Sequence, residues 1–240
     1  MNKFSQLFND LDESTKTNDR LDHLVKYLIE SAPEDSIWVC WFLAGNRIKG
    51  AIKTSELRTF ASERSGLPLW LLEECYDRVG DLAETISLLV STESEGEIIS
   101  LSELIGKFIE PMIGMNTEER RQNIFTVWDF LGEKDFLPFH KLLTGGFRMG
   151  VSKGNLCKAL ARVGGVQPAI IAQRLTGNWS PKTLTLEGIL NPEDDGGRLC
   201  QPFPFCLANP LQEKAENLGS VDDWQVEWKW DGIRAQLINR

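Results

Sequence analysis

The chain has few of the residues that build metal centres, disulfide frameworks and membrane spans. Only two of its 240 residues are histidine and five are cysteine. The cysteines have no C-x-x-C spacing, so we predict neither a zinc site nor a disulfide framework, and no metal-ligating residue is assigned. The sequence lacks the run of roughly eighteen apolar residues that a membrane span needs. Its N-terminus is amphipathic and acidic, unlike a signal peptide.

Acidic residues are absent from one long window of an otherwise acidic chain. The net charge of −9 taken alone argues against nucleic-acid binding. Residues 136–186, however, contain no Asp or Glu, so this window carries +7 and the rest of the chain −16. Its cations are Lys141, Arg148, Lys153, Lys158, Arg162, Arg174 and Lys182. Such a one-sided block indicates a local surface for a polyanion.

Strand patterns are lacking before about residue 220, and helical periodicity takes their place. Phe4, Leu7, Phe8 and Leu11 follow the i, i+3, i+4, i+7 rule of an amphipathic helix. The segment Ser31–Glu34 has the pattern of a capping box and predicts the start of another helix. Further helices are predicted near residues 21–28, 54–66, 69–79, 82–90, 100–109, 117–131, 152–163 and 168–175. Their leucines and tryptophans are assigned to the core.

A glycine-rich turn lies inside the basic window. Residues 142–152 read LLTGGFRMGVS, and the glycines permit close approach of the backbone to a ligand. Ser152 is a good N-cap for the helix that follows. Backbone N–H groups at that helix start, beside Arg148 and Lys153, suit a phosphate. A plain helical corner with solvated lysines is the alternative, but the charge segregation favours phosphate binding.

The end of the chain carries the pattern E-x-K-x-D-G-x-R, formed by Glu227, Lys229, Asp231, Gly232 and Arg234. Lysine supplies an amine nucleophile on a flexible stem, which can form a phosphoramidate. The preceding residues alternate between apolar and polar, so they predict a half-buried strand. Asp-Gly predicts a tight turn, and a returning strand follows. The pattern thus predicts a β-hairpin with the lysine at its corner; an ordinary surface hairpin is the alternative.

This motif resembles motif I of the nucleotidyltransferases that include ATP-dependent DNA ligases and mRNA-capping enzymes. Three upstream segments extend the resemblance to DNA ligases. Gly80–Glu84 resembles a G-D-L-x-x segment, LLTGGFRMGVS resembles an L-R-x-G-x-S-type segment, and Pro202–Leu211 resembles a P-x-x-x-L-A element in which Cys206 replaces the usual methionine. Together they cover nearly the whole chain in order. Capping enzymes and RNA ligases lack such a helical N-terminal domain, so DNA ligase is favoured.

The resemblance implies a mainly α fold. Residues 1–200 would form an all-helical DNA-binding domain, and residues 201–240 the first β-hairpin of an α+β adenylyltransferase domain. Five of the ten prolines fall between Pro181 and Pro210, which is typical of a linker. The later motifs of the family cannot fit after Arg234. We therefore expect a fragment of a longer protein; a truncated relative without catalysis is the alternative.

The resemblance also implies roles for individual residues. Lys229 would attack ATP and become adenylylated, and the AMP would pass to the 5′-phosphate of a nick before the 3′-hydroxyl displaces it. Glu227 would contact adenine, and Arg234 the ribose or the nick phosphate. Mg²⁺ would offset phosphate charge. The preferred candidates for contacts with the backbone of nicked duplex DNA are Arg148, Ser152 and Lys153.

The expected setting follows from this resemblance. The enzyme would be a monomer of the cytoplasm, nucleoid-associated in a bacterium, without a membrane partner, and would serve DNA replication, repair or recombination.

Two other functions stay open. A non-catalytic DNA-binding module would not need Lys229. A capping-type guanylyltransferase needs no duplex-DNA surface, so Arg148→Glu would leave its activity intact.

Overall fold

The predicted helices are present, and the part of the chain that the structure describes contains no strand. The computed structural model describes residues 1–90, 96–145, 147, 149–191, 211, 214–228, 230, 232, 233, 235 and 237. The α-helices among them are α1 (Asn2–Glu13), α2 (Thr17–Glu30), α3 (Pro33–Leu43), α4 (Thr54–Ser65), α5 (Leu69–Val79), α6 (Leu82–Leu89), α7 (Leu101–Leu104), α8 (Thr117–Phe130), α9 (Glu133–Thr144), α10 (Lys153–Gly164), α11 (Pro168–Arg174) and α12 (Leu186–Leu190). Over these described ranges, no helix is both long and apolar enough to cross a membrane.

Short irregular helices complete the architecture. The single helix predicted near residues 100–109 is divided into α7 and a π-helical turn, Ile105–Ile109. A 3₁₀ turn, Pro111–Gly114, follows directly. Pro111 has no backbone N–H, so the regular ladder cannot continue through it. Two more 3₁₀ turns, Ala215–Asn217 and Val221–Asp223, lie near the end of the described chain.

Side-chain caps set several helix starts, but the capping box predicted over Ser31–Glu34 is wrong. Helix α3 begins at Pro33, and its N-cap is Ala32, which has no side-chain cap. Proline at this position removes one N–H that would otherwise need an acceptor, so the helix can begin without a hydroxyl cap. A true capping box starts α8, where Asn116 accepts from the Glu119 N–H at 3.0 Å and Glu119 accepts from the Asn116 N–H at 2.8 Å.

Part of the predicted linker is helical and packed. Helix α12 buries Leu186 and Ile189, and it contacts α3, α10 and α11. The buried guanidinium of Arg174 donates to the Ile189 carbonyl at 2.6 Å, which ties α11 to α12. The linker was predicted from its proline content. The i, i+3 spacing of Leu186 and Ile189 instead gives a short helix with one apolar face, which packs on the core. The domain boundary predicted near residue 200 falls outside the described residues.

The helices form two groups that share one core. In one group α10 packs on α2, α3, α11 and α12; in the other α6 packs on α4, α5 and α9. Helix α1 joins the groups because it packs on both α2 and α9. The turn from α9 to α10 therefore crosses from one group to the other. This crossing places the glycine-rich segment at the junction of the two groups.

One buried histidine links three helices of this core. His140 is fully buried; its Nε2 accepts from the Trp128 indole N–H at 2.9 Å, and its Nδ1 lies 3.1 Å from the Ser87 hydroxyl. Since Nε2 is the acceptor, Nδ1 carries the hydrogen and donates to Ser87, which donates to the Ala83 carbonyl at 2.7 Å. Burial lowers the pKa of His140 to about 3. The ring is a neutral packing residue.

The His140 network predicts a pH-dependent stability that one substitution removes. The pKa of His140 falls from 6.5 to about 3 on folding, so the unfolded chain binds more protons between these values and stability is lost as the pH falls through this window. His140→Gln keeps an acceptor for Trp128 and a donor for Ser87. We expect the stability advantage of the native chain over His140→Gln to shrink by about 1.4 kcal/mol per pH unit below about pH 6.

Urea titrations at about pH 7, 6 and 5 measure this difference. Carboxylates are common to both proteins, so their contribution cancels. An advantage of the native chain that stays constant from pH 7 to pH 5 would contradict a neutral, hydrogen-bonded His140.

Candidate nucleic-acid interface

The turn between α9 and α10 has a backbone conformation that requires glycine at both ends. Gly145 ends α9 with φ = 71°, and Gly150 has φ = 64°. Both values lie in the left-handed region, which residues with a Cβ adopt only at a cost. These two glycines therefore have a structural role, and the close approach to a ligand that the sequence indicated stays a prediction. Gly146 and Arg148 lie outside the described residues.

Two apolar side chains anchor the turn in the core. The Phe147 ring stacks on Phe4 of α1 at a centroid distance of 5.4 Å and lies 5.6 Å from the ring of Phe42 in α3. Met149 is also buried. These contacts hold the backbone of the turn against both helix groups. The sequence does contain a signal for this anchoring: Phe147 and Met149 are large apolar residues inside a glycine-rich segment.

Two arginines from distant segments lie against the two glycines. Arg20 of α2 donates to the Leu11 carbonyl at 3.2 Å and to the Gly150 carbonyl at 3.4 Å. Arg47, in the loop between α3 and α4, approaches Gly145 so closely that a Cβ there would lie 3.1 Å from its Cδ. Neither arginine was predicted. Arg20 is 130 residues from Gly150 in sequence and Arg47 about a hundred from Gly145, and no local pattern indicates such contacts.

The predicted N-cap role of Ser152 is confirmed, and Lys153 has a structural contact of its own. The Ser152 Oγ accepts from the Asn155 N–H at 3.2 Å. The Lys153 Nζ donates to the Leu175 carbonyl at the end of α11, at 3.1 Å. Both residues are exposed. The Ser152 hydroxyl can still donate its hydrogen, and two of the three Lys153 donors remain for a ligand.

The basic window is less one-sided in space than along the chain, because acids from other elements lie against it. The ion pairs are Lys141 with Asp81 at 2.5 Å, Arg162 with Asp22 at 2.8 Å and Lys182 with Glu110 at 2.8 Å. The Arg162 and Lys182 side chains are more than half exposed, and such pairs contribute at most about 1 kcal/mol. These two cations can exchange a carboxylate for a phosphate. Lys141 is mostly buried, so its pair is structural.

The Gly80–Glu84 segment is a corner that holds α6 against α9. Gly80 ends α5 with φ = 78°, and Asp81 caps α6 by accepting from the Glu84 N–H at 3.0 Å. Burial alone would raise the pKa of Asp81, but hydrogen bonds from Lys141 and from the backbone outweigh it, and the pKa is lowered. The carboxylate thus stays charged beside Lys141, four residues before the glycine turn begins. The segment positions the turn.

The nucleotide-binding residues predicted at the end of the chain are mostly outside the described part. Lys229, Asp231 and Arg234 are not among the described residues, whereas Glu227 is described and exposed. Residues 224–228 lie in no strand, and the Trp228 side chain is 84% exposed. The half-buried strand and the hairpin are therefore not shown. A two-stranded ribbon is marginal without further strands or a helix to pack on.

Comparison with known proteins identifies the helical part. The family model for the DNA ligase N terminus matches residues 1–161. The chain belongs to this family. The resemblance to the N-terminal region of ATP-dependent DNA ligases is therefore confirmed. The matched range contains the glycine turn, both of its arginines, Ser152 and Lys153, and it ends before Glu227.

Individual relatives agree with the family. The chain is 24% identical over 232 residues to a probable DNA ligase of Koribacter versatilis, covering 93% of this chain and 40% of the relative. It is 22% identical over 274 residues to a DNA ligase of Nitrosopumilus maritimus, covering 98% of this chain and 44% of the relative. A probable DNA ligase of an Anaeromyxobacter species is 31% identical over 109 residues, covering 44% of this chain and 21% of the relative. The chain spans less than half the length of each.

The contact between Gly150 and Arg20 predicts that alanine destabilises the protein more at Gly150 than at Gly66. The two glycines have similar left-handed backbone conformations, so the difference reports the contact. A Cβ at Gly150 would lie 2.5 Å from the Arg20 Nη1, whereas Gly66, with φ = 70°, has open space around it. Gly66→Ala should cost about 1 kcal/mol of unfolding free energy from backbone strain. Gly150→Ala should cost about 1 kcal/mol more, because Arg20 must give up a hydrogen bond.

Urea denaturation of both variants measures these costs, and the Arg20→Ala background provides the control. In that background the two alanine substitutions should cost the same. Equal costs in the native background would contradict a defined Arg20–Gly150 contact.

Proposed function

We propose that this chain is the DNA-engaging N-terminal part of an ATP-dependent DNA ligase that seals nicks in duplex DNA through a lysine–AMP intermediate. One combination supports this proposal most strongly. The family match over residues 1–161 and the E-x-K-x-D-G-x-R pattern at Glu227–Arg234 occur in one chain, in the order expected of a ligase. In this proposal the chain is a fragment that contains the start of the adenylyltransferase domain and, by itself, does not seal nicks.

The DNA contacts are proposed at the glycine turn. Ser152 and Lys153 are exposed, keep unused donors, and sit at the N-terminus of the twelve-residue helix α10. Backbone N–H groups and the helix dipole favour an anion at such a helix start. Arg148, between the core-anchored Phe147 and Met149, is the third proposed contact. Contacts with phosphates fix the position of a protein on DNA without reading its sequence, which suits an enzyme that acts at any nick.

The nucleotide chemistry is proposed for the end of the chain. The neutral amine of Lys229 attacks the α-phosphorus of ATP, a nitrogen–phosphorus bond forms, and pyrophosphate leaves. The AMP then passes to the 5′-phosphate of the nick, and the 3′-hydroxyl displaces AMP as it closes the strand. Glu227, whose carboxylate is exposed, is the proposed acceptor for the adenine amino group, and Arg234 the contact for ribose or the nick phosphate.

Two conditions apply to this chemistry. Mg²⁺, when bound, offsets phosphate charge and orients the leaving group. The pKa of a free lysine is about 10.4, so neighbouring cations must lower it before Lys229 can react as an amine. That the ligase is a cytoplasmic monomer serving replication, repair or recombination stays a prediction.

The nucleophile is tested on the natural, full-length product of this gene. Incubation with ATP and Mg²⁺ without DNA should add one AMP to the native protein, and the adduct should be absent from Lys229→Ala. Intact-mass measurement reads out both proteins. A Lys229→Arg control keeps the charge but cannot act as an amine nucleophile, so it should also carry no AMP.

This experiment, together with a binding assay on nicked duplex, separates the catalytic proposal from a non-catalytic one. AMP on the native protein but not on the two variants supports Lys229 as the nucleophile. A native full-length protein that binds nicked duplex but takes up no AMP would instead indicate a DNA-binding module with a vestigial motif.

The phosphate contact of Arg148 is tested by salt dependence. Arg148→Glu should weaken binding of the 240-residue chain to nicked duplex and lower the slope of log K against log salt by about 1. Arg64→Glu is the control with the same charge change, at a residue of α4 outside the basic window. Fluorescence anisotropy over a salt series measures both. An unchanged slope in Arg148→Glu would overturn the assignment.

A further inference from the structure

The loop between α3 and α4 presents one arginine from a fixed backbone. Asn46 is bound to the end of α3, since its side-chain amide donates to the Trp41 carbonyl at 3.0 Å. Ile48, on the other side of Arg47, packs partly buried against the core. Arg47 itself is exposed. Its position is thus set by the two neighbours that anchor the loop, and its side chain projects from the surface beside Gly145.

Arg47 is unpaired where most of the nearby cations are engaged. In the part of the chain that the structure describes, no carboxylate lies within ion-pairing distance of Arg47, and it makes no hydrogen bond. Lys141, in contrast, is held by Asp81, and Lys153 is bound to the Leu175 carbonyl. A free guanidinium on a chain with a net charge of −9 is available to an external anion. Phosphate is a preferred partner of guanidinium, which can bind it through two parallel N–H donors.

Gly145, the residue that ends α9, lies beside this guanidinium. A Cβ built on Gly145 would be 3.1 Å from the Arg47 Cδ and 3.5 Å from its Nη1, so the two residues are in contact. An unpaired guanidinium therefore lies at the entrance of the turn, beside the residue that ends α9.

We propose that Arg47 binds a backbone phosphate of duplex DNA, next to the contacts proposed for Arg148, Ser152 and Lys153. This inference rests on the proposed function, because it assigns a further contact of the same DNA surface. It extends that surface from the basic window, residues 136–186, to a loop about a hundred residues earlier. The glycine at position 145 is then required twice, for the left-handed turn and for the space that Arg47 occupies.

A purely structural role for Arg47 predicts something different. A cation at the C-terminus of a helix interacts favourably with the last carbonyls and the dipole, and Arg47 lies at the end of α9. That role affects the stability of the fold and leaves the salt dependence of DNA binding unchanged. Removal of a phosphate contact lowers the salt slope instead. The two roles are therefore separated by measuring the melting temperature and the salt slope of the same variants.

The experiment uses the 240-residue chain, nicked duplex DNA and a salt series, with Arg47→Gln beside Arg64→Gln. Arg64, near the end of α4, is the control of the same residue type; unlike Arg47 it pairs with Asp129, at 2.6 Å. The start of α4, at Thr54, lines a cavity of about 340 Å³ together with Thr144. A helix rises about 1.5 Å per residue, so Arg64 lies about 15 Å further along α4 than Thr54. Arg47→Lys keeps the charge but not the planar donor pair.

The expected result is specific to position 47. Arg47→Gln should weaken binding about tenfold at low salt and reduce the salt slope by about 0.9, while Arg64→Gln changes neither. Arg47→Lys should restore the slope and part of the affinity. All variants should melt within a few degrees of the native chain.

Three outcomes would overturn the assignment. Native slope and affinity in Arg47→Gln would exclude a phosphate contact while leaving the proposed function intact. An equal loss in Arg64→Gln would indicate a general effect of charge. A loss of affinity with a lowered melting temperature that is the same in Arg47→Lys would assign Arg47 to the packing of α9. The proposed function itself fails separately, if the native chain does not bind nicked duplex at any salt concentration.

Discussion

The packing of Phe147 in the core is the constraint on which the rest of the interface depends. Its ring stacks on Phe4 and lies near Phe42, so one side chain of the turn contacts both α1 and α3. Because α1 packs on both α2 and α9, this contact fixes the turn relative to both helix groups. The approach of Arg20 to Gly150 and of Arg47 to Gly145 follows from that placement. A mobile turn could not keep two arginines at defined distances from two glycines.

The proposed DNA contacts require cations at the positions that the phosphates would occupy, on a chain that is acidic as a whole. At about 0.15 M salt the Debye length is about 8 Å, so the net charge of −9 acts weakly beyond the nearest side chains. Local arrangement therefore decides binding. The fold places Asp81 against Lys141 and Asp22 against Arg162, while Arg47 stays unpaired within the described residues. Tertiary packing thus decides which cations are paired with carboxylates and which stay unpaired. The net charge of the chain alone is therefore a poor guide to whether it binds a polyanion.

Sequence periodicity predicted the helices well because each amphipathic stripe is local. It could not predict the contacts of Arg47 or Arg20 with the turn, because they join segments about a hundred residues or more apart. The charge of the basic window was overestimated for the same reason, since its ion-pair partners come from outside it. The capping box at Ser31–Glu34 failed for a local reason: Pro33 begins the helix without a hydroxyl cap. The glycine turn and the Ser152 cap were predicted because their geometry is encoded within a few residues.

The alternating pattern before Lys229 shows what periodicity does not decide. Alternation of apolar and polar residues shows which side chains would share one face of a sheet. A strand forms, however, only when a neighbouring strand supplies hydrogen bonds and other elements bury the apolar face. In the described residues Trp224, Val226 and Trp228 are exposed and pair with no strand. Large apolar side chains in this state favour association with further polypeptide, since each contributes about 1.5–3 kcal/mol when buried. The proposed nucleophile therefore depends on tertiary contacts, whereas the glycine turn is already held by the helical core.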